Sequence, residues 1–138
     1  MLSHRTQYAI RAMTFLASQP PGKLSGAQEI SKAQNIPKPF LWKVLHKLER
    51  KHLVRSFKGK GGGYELARPA GRIRLSEILN VAALPAFERC ILGLPKCSDK
   101  KPCELHRQWK EIRNDLRAML RQNTVGDLAR SSKKRRQR

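Results

Sequence analysis

All three cysteines of this 138-residue chain lie in the seventeen residues from Cys90 to His106, CILGLPKCSDKKPCELH. The spacing C-x6-C-x5-C-x2-H gathers three thiols and one imidazole where Gly93, Pro95 and Pro102 interrupt helix and strand. A loop of this size has no hydrophobic core of its own, so something else must fix its structure. Metal coordination by the thiolates and the imidazole would do so.

The residues of this loop alone leave three interpretations open. Wide spacing suits an iron–sulfur cluster, because a cluster is larger than a single ion and needs ligands further apart. Zinc also accepts a Cys3His set, although structural zinc sites favour closely spaced C-x2-C pairs. The third interpretation is free thiols. A disulfide is disfavoured because it would leave one of the three cysteines unpaired.

The charge balance indicates a polyanionic partner, with nucleic acid as the first candidate. Thirty Lys and Arg residues against ten Asp and Glu residues give a net charge of +20, and the excess is not confined to the basic C-terminus. No apolar run reaches the length of a membrane span, and no signal peptide is recognisable. We therefore expect a cytoplasmic protein without a membrane partner, whose thiols favour metal over disulfide.

Three helices are predicted in the N-terminal third of the chain. The first covers residues 4–18, where apolar side chains recur at helical spacing. The second starts at Ser25 with a capping box to Gln28, and its apolar face consists of Ala27, Ile30 and Ala33. The third covers residues 38–51, with prolines at its start, where proline is tolerated.

The second and third predicted helices, joined by a short turn at residues 35–37, have the pattern of a helix-turn-helix. The third helix is apolar on one side and basic on the other. Its predicted major-groove residues are Lys38, Phe40, Trp42, Lys43 and Lys47. The alternative is an ordinary three-helix core with a solvated lysine face.

A β-hairpin is predicted directly after the third helix. Strands at residues 53–57 and 64–67 flank the sequence KGKGGG, a turn that glycine makes comfortably. A helix-turn-helix followed by a hairpin is a winged helix, and Lys58 and Lys60 at the tip of the wing are predicted to contact phosphate or the minor groove. A nucleotide-binding loop is disfavoured because no helix follows the glycines.

The C-terminal half predicts a short helix capped by Ser76 and reaching about Ala83, then the cysteine loop, then a long helix over residues 105–122. Residues 124–128 predict a last helical turn before a disordered basic tail. The long helix carries an apolar stripe with a period near 3.5, formed by Trp109, Ile112, Leu116 and Met119. Such a stripe favours pairing with a second copy, the alternative being packing on the winged domain alone.

The predicted fold is therefore mainly α with a small β-wing: a winged helix-turn-helix plus a long dimerisation helix. The predicted segments are a DNA-binding domain at 1–83, a cluster-binding loop at 84–106, a dimerisation helix and C-terminal turn at 107–129, and a disordered tail at 130–138. An enzyme is not predicted, because the chain shows no paired carboxylates, Ser/His/Asp set or phosphate loop.

The helix-turn-helix, the GKGGGY wing, the three-cysteine loop, the long last helix and the first-helix sequence TQYAIRAMTFLA together resemble the IscR/NsrR-type family of bacterial transcription regulators. The resemblance spans about residues 1–129. It implies a homodimer that binds double-stranded DNA through the winged domain. It also implies an iron–sulfur cluster on the three cysteines, Cys90, Cys97 and Cys103.

The resemblance also bears on the fourth ligand of the cluster. In the IscR type it is a histidine two residues after the last cysteine, which His106 matches. In the NsrR type it is an acid just before the first-helix tyrosine, supplied by the other subunit, where this chain has Gln7. His106 and a [2Fe–2S] cluster are thus favoured, in a repressor whose DNA affinity depends on the cluster. The alternative is a zinc-stapled or metal-free nucleic-acid-binding protein with no sensing role.

The chain departs from the family at several positions. The first gap between cysteines is six residues, where IscR has five. Lys58 and Lys60 replace an arginine and a proline of the family wing, and Trp42 stands where IscR has a glutamate. Lysine keeps the charge but gives up bidentate recognition of guanine, and Trp42 cannot accept hydrogen bonds as a carboxylate does.

Overall fold

The computed structural model describes residues 3–82, 89–94 and 98–137. The predicted fold class is confirmed, since helices surround a two-stranded antiparallel wing. In chain order the elements are α1 (His4–Ala17), α2 (Ala27–Gln34), α3 (Lys38–Arg50), β1 (Val54–Phe57), β2 (Gly63–Leu66), a 3-10 turn (Ala70–Arg72), α4 (Leu75–Ala82), α5 (His106–Gln122) and α6 (Val125–Gln137). The predicted helix end at Ala83 and the candidate ligand Cys97 lie outside the described residues.

Helix α1 lies at the centre of the fold, in contact with α2, α3, α4 and α6. Its small residues Ala9 and Ala12 allow close approach of the neighbouring helices, while Met13 and Leu16 fill the space between them. The buried residues of the other elements join the same hydrophobic core, including Ile30, Leu41, Leu45, Ile78, Leu120 and Val125. The winged portion and the C-terminal helices therefore share one core.

The start of α2 differs from the sequence prediction. Ser25 does not cap the helix; Gly26 occupies that position without a side-chain hydrogen bond. Instead, the Ser25 backbone pairs with Tyr64 of the wing, through Ser25 N to Tyr64 O at 3.0 Å and Tyr64 N to Ser25 O at 2.7 Å. The predicted capping box was wrong because this distant strand pairing fixes the backbone of Ser25. Ala33, predicted on the apolar face, is exposed.

The wing requires glycine at two positions by steric contact. A Cβ atom on Gly62 would lie 2.1 Å from the carbonyl oxygen of Phe57. A Cβ atom on Gly63, whose φ is +149°, would lie 2.7 Å from the carbonyl oxygen of Ser25. Gly63 thus allows β2 to approach the chain segment before α2 closely enough for the Ser25–Tyr64 pairing.

A second pair of backbone hydrogen bonds joins the start of α4 to the junction of α5 and α6. Leu75 N donates to Asn123 O at 3.0 Å, and Val125 N donates to Ile73 O at 2.9 Å. Arg74 and Thr124 are thereby paired as an isolated antiparallel bridge. This bridge lies between the 3-10 turn, which ends at Arg72, and α4, which begins at Leu75.

Helix α6 replaces the short turn and the disordered tail that the sequence predicted after residue 124. It extends from Val125 to Gln137. Thr124 and Asp127 form a reciprocal cap, in which Thr124 N donates to Asp127 Oδ2 at 2.9 Å and Asp127 N donates to Thr124 Oγ1 at 3.1 Å. Val125 and Ala129 are buried, so the first part of α6, predicted as a helical turn, packs on α1, and the helix continues from there into the segment whose charge predicted disorder. None of the described helices is both long and apolar enough to cross a membrane.

Candidate metal centre and nucleic-acid interface

Two of the three cysteines come together in the structure. The Sγ atoms of Cys90 and Cys103 are 3.5 Å apart, with Cys90 buried and Cys103 half-buried. The third candidate ligand, Cys97, is not among the described residues. Within residues 3–82, 89–94 and 98–137, no three His, Cys, Asp or Glu side chains are grouped to hold a metal ion. The described geometry therefore covers two thiols of the predicted set and His106.

The chain around Cys90 turns its backbone amides toward the Cys90 sulfur. Gly93 N donates to Cys90 O at 3.0 Å, and Gly93 has a φ of +79°, which closes a tight turn. Hydrogen bonds from the backbone amides of Leu92, Leu94 and Gly93 lower the pKa of the Cys90 thiol, against the opposing effect of burial. Amide hydrogen bonds to sulfur stabilise thiolate ligands and tune clusters.

The pKa of the Cys103 thiol is shifted in the opposite direction. Burial raises the pKa of the Cys103 thiol, and the adjacent Cys90 sulfur raises it further. The pKa values of the two thiols are therefore shifted in opposite directions, down for Cys90 and up for Cys103.

His106 is the first residue of α5 and is only 7% exposed. Its Nε2 atom lies 2.7 Å from Asp99 Oδ1, and Lys110 Nζ lies 3.0 Å from each oxygen of the same carboxylate. Hydrogen bonds from His106 and Lys110 lower the pKa of Asp99. His106 N also donates to Cys103 O at 3.1 Å, so the last cysteine and the histidine share one turn of backbone.

The Cys90 and Cys103 sulfurs fit the spacing of two thiolate ligands, and a histidine of the predicted ligand set follows Cys103 closely in the chain. Two thiolates on one tetrahedral metal with metal–sulfur bonds of about 2.3 Å lie about 3.8 Å apart, close to the separation observed here. A metal-bound histidine commonly donates its second ring N–H to a carboxylate, and Asp99 is placed for that role. The sequence interpretation missed Asp99, since no spacing rule links it to His106.

The cysteine loop is tied to α5 by Trp109, whose indole Nε1 donates to Arg89 O at 3.0 Å. The predicted stripe on this helix divides into two pairs. Trp109 and Leu116 are half-buried and pack against the core of their own chain. Ile112 and Met119 are 55% and 49% exposed. Part of the predicted stripe therefore faces the same chain, as the alternative interpretation of the stripe expected.

Helix α3 presents two chemically different sides. Leu41, Val44, Leu45 and Leu48 are buried in the core. The residues predicted to contact DNA on α3 and on the wing are all exposed, namely Lys38, Phe40, Trp42, Lys43, Lys47, Lys58 and Lys60. Exposed lysines therefore lie on both α3 and the wing, and Glu49, the one acid of α3, accepts a hydrogen bond from Ser56 Oγ at 2.5 Å.

The position of α3 is set by contacts that the sequence interpretation did not identify. The Arg11 guanidinium donates to Gln34 O and, at 3.4 Å, to Asn35 O at the end of α2. Asn35 adopts a left-handed conformation with a φ of +53°, as a helix C-terminus requires. Arg11 also lies 5.4 Å from the ring centroid of Tyr8. The turn between the two helices is thus fixed by α1.

A helix-turn-helix with a buried apolar side, an exposed cationic side and a following hairpin defines a winged-helix DNA-binding protein. Residues 2–131 match the model of the Rrf2 family, described as iron-dependent transcriptional regulators. The chain belongs to this family. It is therefore a DNA-binding transcription regulator and not an enzyme.

Individual relatives agree with the family. The chain is 33% identical over 131 residues to a protein of Aquifex aeolicus assigned as an HTH-type transcriptional regulator, covering 93% of this chain and 90% of the relative. Over 80 residues it is 46% identical to the regulator IscR of Cereibacter sphaeroides, covering 56% of this chain and 52% of that one. Its fold is similar to that of CymR, the global cysteine regulator of B. subtilis, with a TM-score of 0.81, 22% identity and coverage of 95% and 97%.

Proposed function

We propose that this regulator is a homodimeric repressor whose operator affinity is controlled by a [2Fe–2S] cluster held by Cys90, Cys97, Cys103 and His106. The observation that carries the proposal is the 3.5 Å approach of the Cys90 and Cys103 sulfurs in a loop that ends at the buried His106. The iron dependence in the family description supports a cluster over zinc. When bound, the cluster would supply a redox-sensitive centre that orders the loop.

Signal transmission is proposed to follow packed elements of the chain. The cysteine loop is anchored on α5 through Arg89 and Trp109, and α5 packs on α4. Helix α4 in turn contacts both α1 and α3. A change in the order of the loop would therefore reach the recognition helix through the packed side chains of these elements.

Dimerisation is proposed to use the exposed side of α5. Ile112 and Met119 lie one above the other at helical spacing, and large exposed apolar side chains favour burial against another protein. The half-buried Trp109 and Leu116 would support them from beneath. A two-fold dimer would present two copies of α3 to two half-sites of one operator.

The proposed cluster is tested by anaerobic purification of the full chain, followed by absorption and Mössbauer spectra and analysis of iron and sulfide. A brown protein with about two irons and two sulfides per chain is expected. DNA binding is then compared before and after removal of the cluster. A colourless, iron-free protein after anaerobic purification and reconstitution would refute the proposal.

The second candidate is a zinc-stapled or metal-free nucleic-acid-binding protein without sensing. The separation of the Cys90 and Cys103 sulfurs favours it equally, because two thiolates on a single zinc ion would have similar spacing. One bound zinc per chain, no visible absorption and unchanged DNA binding after metal removal would establish this alternative.

A further inference from the structure

The large hydrophobic side chains exposed among the described residues divide by chemistry and by place. The aliphatic ones lie on the cysteine loop and along α5, namely Ile91, Leu92, Leu94, Leu105, Ile112 and Met119. The aromatic ones, Phe40, Trp42 and Phe57, lie on α3 and β1. A second copy of the chain would cover aliphatic residues on α5, as proposed above, whereas this aromatic group lies on α3 and the wing, outside that proposed interface.

The charged residues around Phe40, Trp42 and Phe57 indicate what kind of molecule binds there. Exposed lysines stand beside each aromatic residue, with Lys38 and Lys43 on α3 and Lys58 directly after Phe57. A second copy of a chain with a net charge of +20 would bring the same positive charge to this surface and be repelled. A polyanion with apolar groups at its surface matches both features, and a DNA major groove offers phosphates together with thymine methyl groups.

Within this group, Trp42 has the position of a base reader. It lies in the first half of α3, the part of a recognition helix that enters the major groove. Its side chain is 55% exposed and borders an open depression of about 410 Å3 between α3 and the wing, whose other lining residues are Lys43, His46, Glu49 and Tyr64.

The indole N–H of Trp42 is available for binding. Among the described residues it makes no hydrogen bond, whereas the indole of Trp109 donates to a backbone carbonyl. Trp42 therefore presents an apolar face and one N–H donor to whatever occupies the depression.

Phe40 is a natural internal comparison. It is 46% exposed and aromatic like Trp42, but residues two apart on a helix do not face the same way. Its ring centroid lies 6.3 Å from that of Tyr8, so it is held on the α1 side of α3. The two aromatic residues thus flank the helix on opposite sides, and only Trp42 borders the depression beside the wing.

The polar groups of α3 restrict which bases can be read. Lysine and indole N–H groups donate, and α3 contains neither Asn nor Gln, the residues that pair with adenine by accepting and donating together. Its possible acceptors in the depression are His46 and Glu49, and Glu49 Oε1 already accepts a hydrogen bond from Ser56 Oγ. Thymine presents an acceptor and a methyl group in the major groove, which matches a donor beside an apolar face. We propose that Trp42 reads a thymine 5-methyl group in each operator half-site. This inference rests on DNA binding, which family membership establishes, and its half-sites rest on the proposed dimer, but it does not rest on the cluster.

The test replaces thymine by deoxyuridine, which removes only the methyl group. An operator is selected from a random duplex library with the full-length protein, and each thymine of a half-site is replaced singly. For wild-type protein, one replacement per half-site should weaken binding about fourfold, the value expected for one buried methyl group. Trp42→Ala should bind the thymine operator more weakly and show no penalty for that replacement, because the two changes remove the same contact.

The matched variant is Phe40→Ala, which should retain the deoxyuridine penalty whatever its own effect on affinity. Trp42→Phe, which keeps an apolar face, should retain part of the penalty. Thermal unfolding checks that each exposed substitution leaves the fold intact. The inference is overturned if the selected half-site contains no thymine, if no replacement weakens wild-type binding, or if Trp42→Ala keeps the full penalty.

Discussion

The Nε2 atom of His106 lies 2.7 Å from the Oδ1 atom of Asp99, which joins the cysteine loop to the first turn of α5. Lys110, one turn further along α5, holds the same carboxylate. The ring of the candidate fourth ligand is therefore oriented by a residue of the loop itself.

Asp99→Ala should loosen the cluster without removing any ligand. Loss of a carboxylate partner of a ligand histidine typically weakens metal binding about 10- to 100-fold. We expect faster loss of visible absorption in the presence of a chelator and a shifted reduction potential. The control is Glu111→Ala, which removes an exposed acid from α5 and should change neither quantity. If the cluster decays equally fast in the two variants, Asp99 does not support the cluster.

His106→Ala and Gln7→Ala distinguish the two sources of a fourth ligand. His106→Ala should still assemble a cluster on three thiolates, but with an altered visible spectrum and faster decay, since one iron lacks its imidazole. Gln7 is exposed on α1, and Gln7→Ala should leave the cluster unchanged. The reverse result, in which Gln7→Ala bleaches the protein and His106→Ala does not, would place the ligand on α1.

Ile112→Glu should convert the proposed dimer to monomers. A carboxylate at this exposed apolar position costs little in the monomer but would be buried and unpaired in the dimer interface. Sedimentation of the variant measures the effect, and operator binding should weaken with it. Asn114→Glu introduces the same charge on a different side of α5 and should remain dimeric. A dimeric Ile112→Glu variant would place the interface elsewhere.

Lys58→Ala should weaken binding to all DNA sequences alike. If Lys58 contacts one phosphate, the slope of log affinity against log salt should decrease by about one. Lys100→Ala removes an exposed lysine from the cysteine loop and should leave the slope unchanged. An altered base preference with an unchanged salt slope would instead mean that Lys58 reads a base.

Gly63→Ala should destabilise the wing, because the new Cβ atom would collide with the backbone of Ser25 and the φ of +149° is strained for alanine. The expected cost is more than about 1 kcal/mol in the free energy of unfolding. Urea denaturation measures it, and DNA affinity should fall in parallel. Gly71→Ala, where a Cβ atom would meet open space, should change stability by less than about 0.5 kcal/mol.

Much of the candidate site could be predicted from local patterns. The sequence predicted an apolar side and a basic side for α3. The structure has the same two sides, with the apolar side formed by Leu41, Val44, Leu45 and Leu48. The structure brings the Cys90 and Cys103 sulfurs together and places His106 one backbone turn after Cys103, but a common metal site for the three residues stays a prediction. The roles of these residues in cluster and DNA binding stay predictions, tested by the variants above.

Other features could not be predicted because their partners are distant in the sequence. Ser25 has the composition of a helix cap, yet its backbone pairs with Tyr64 of the wing. The apolar residues on α5 recur with a single period, but they do not share one environment. Trp109 and Leu116 face the core, while Ile112 and Met119 face outward. The reciprocal Thr124–Asp127 cap was the local signal for α6 that the sequence interpretation overlooked.

The sequence by itself determined the helices α1 and α3, the glycine-dependent wing and the cysteine loop, because periodicity, turn chemistry and ligand spacing act over a few residues. The tertiary structure alone decided which groups meet. Arg74 pairs with Thr124, Arg11 fixes the turn before α3, and Asp99 orients His106. The first two contacts join segments far apart in the sequence that packing around α1 brings together, whereas Asp99 meets His106 because the cysteine loop lies against the start of α5.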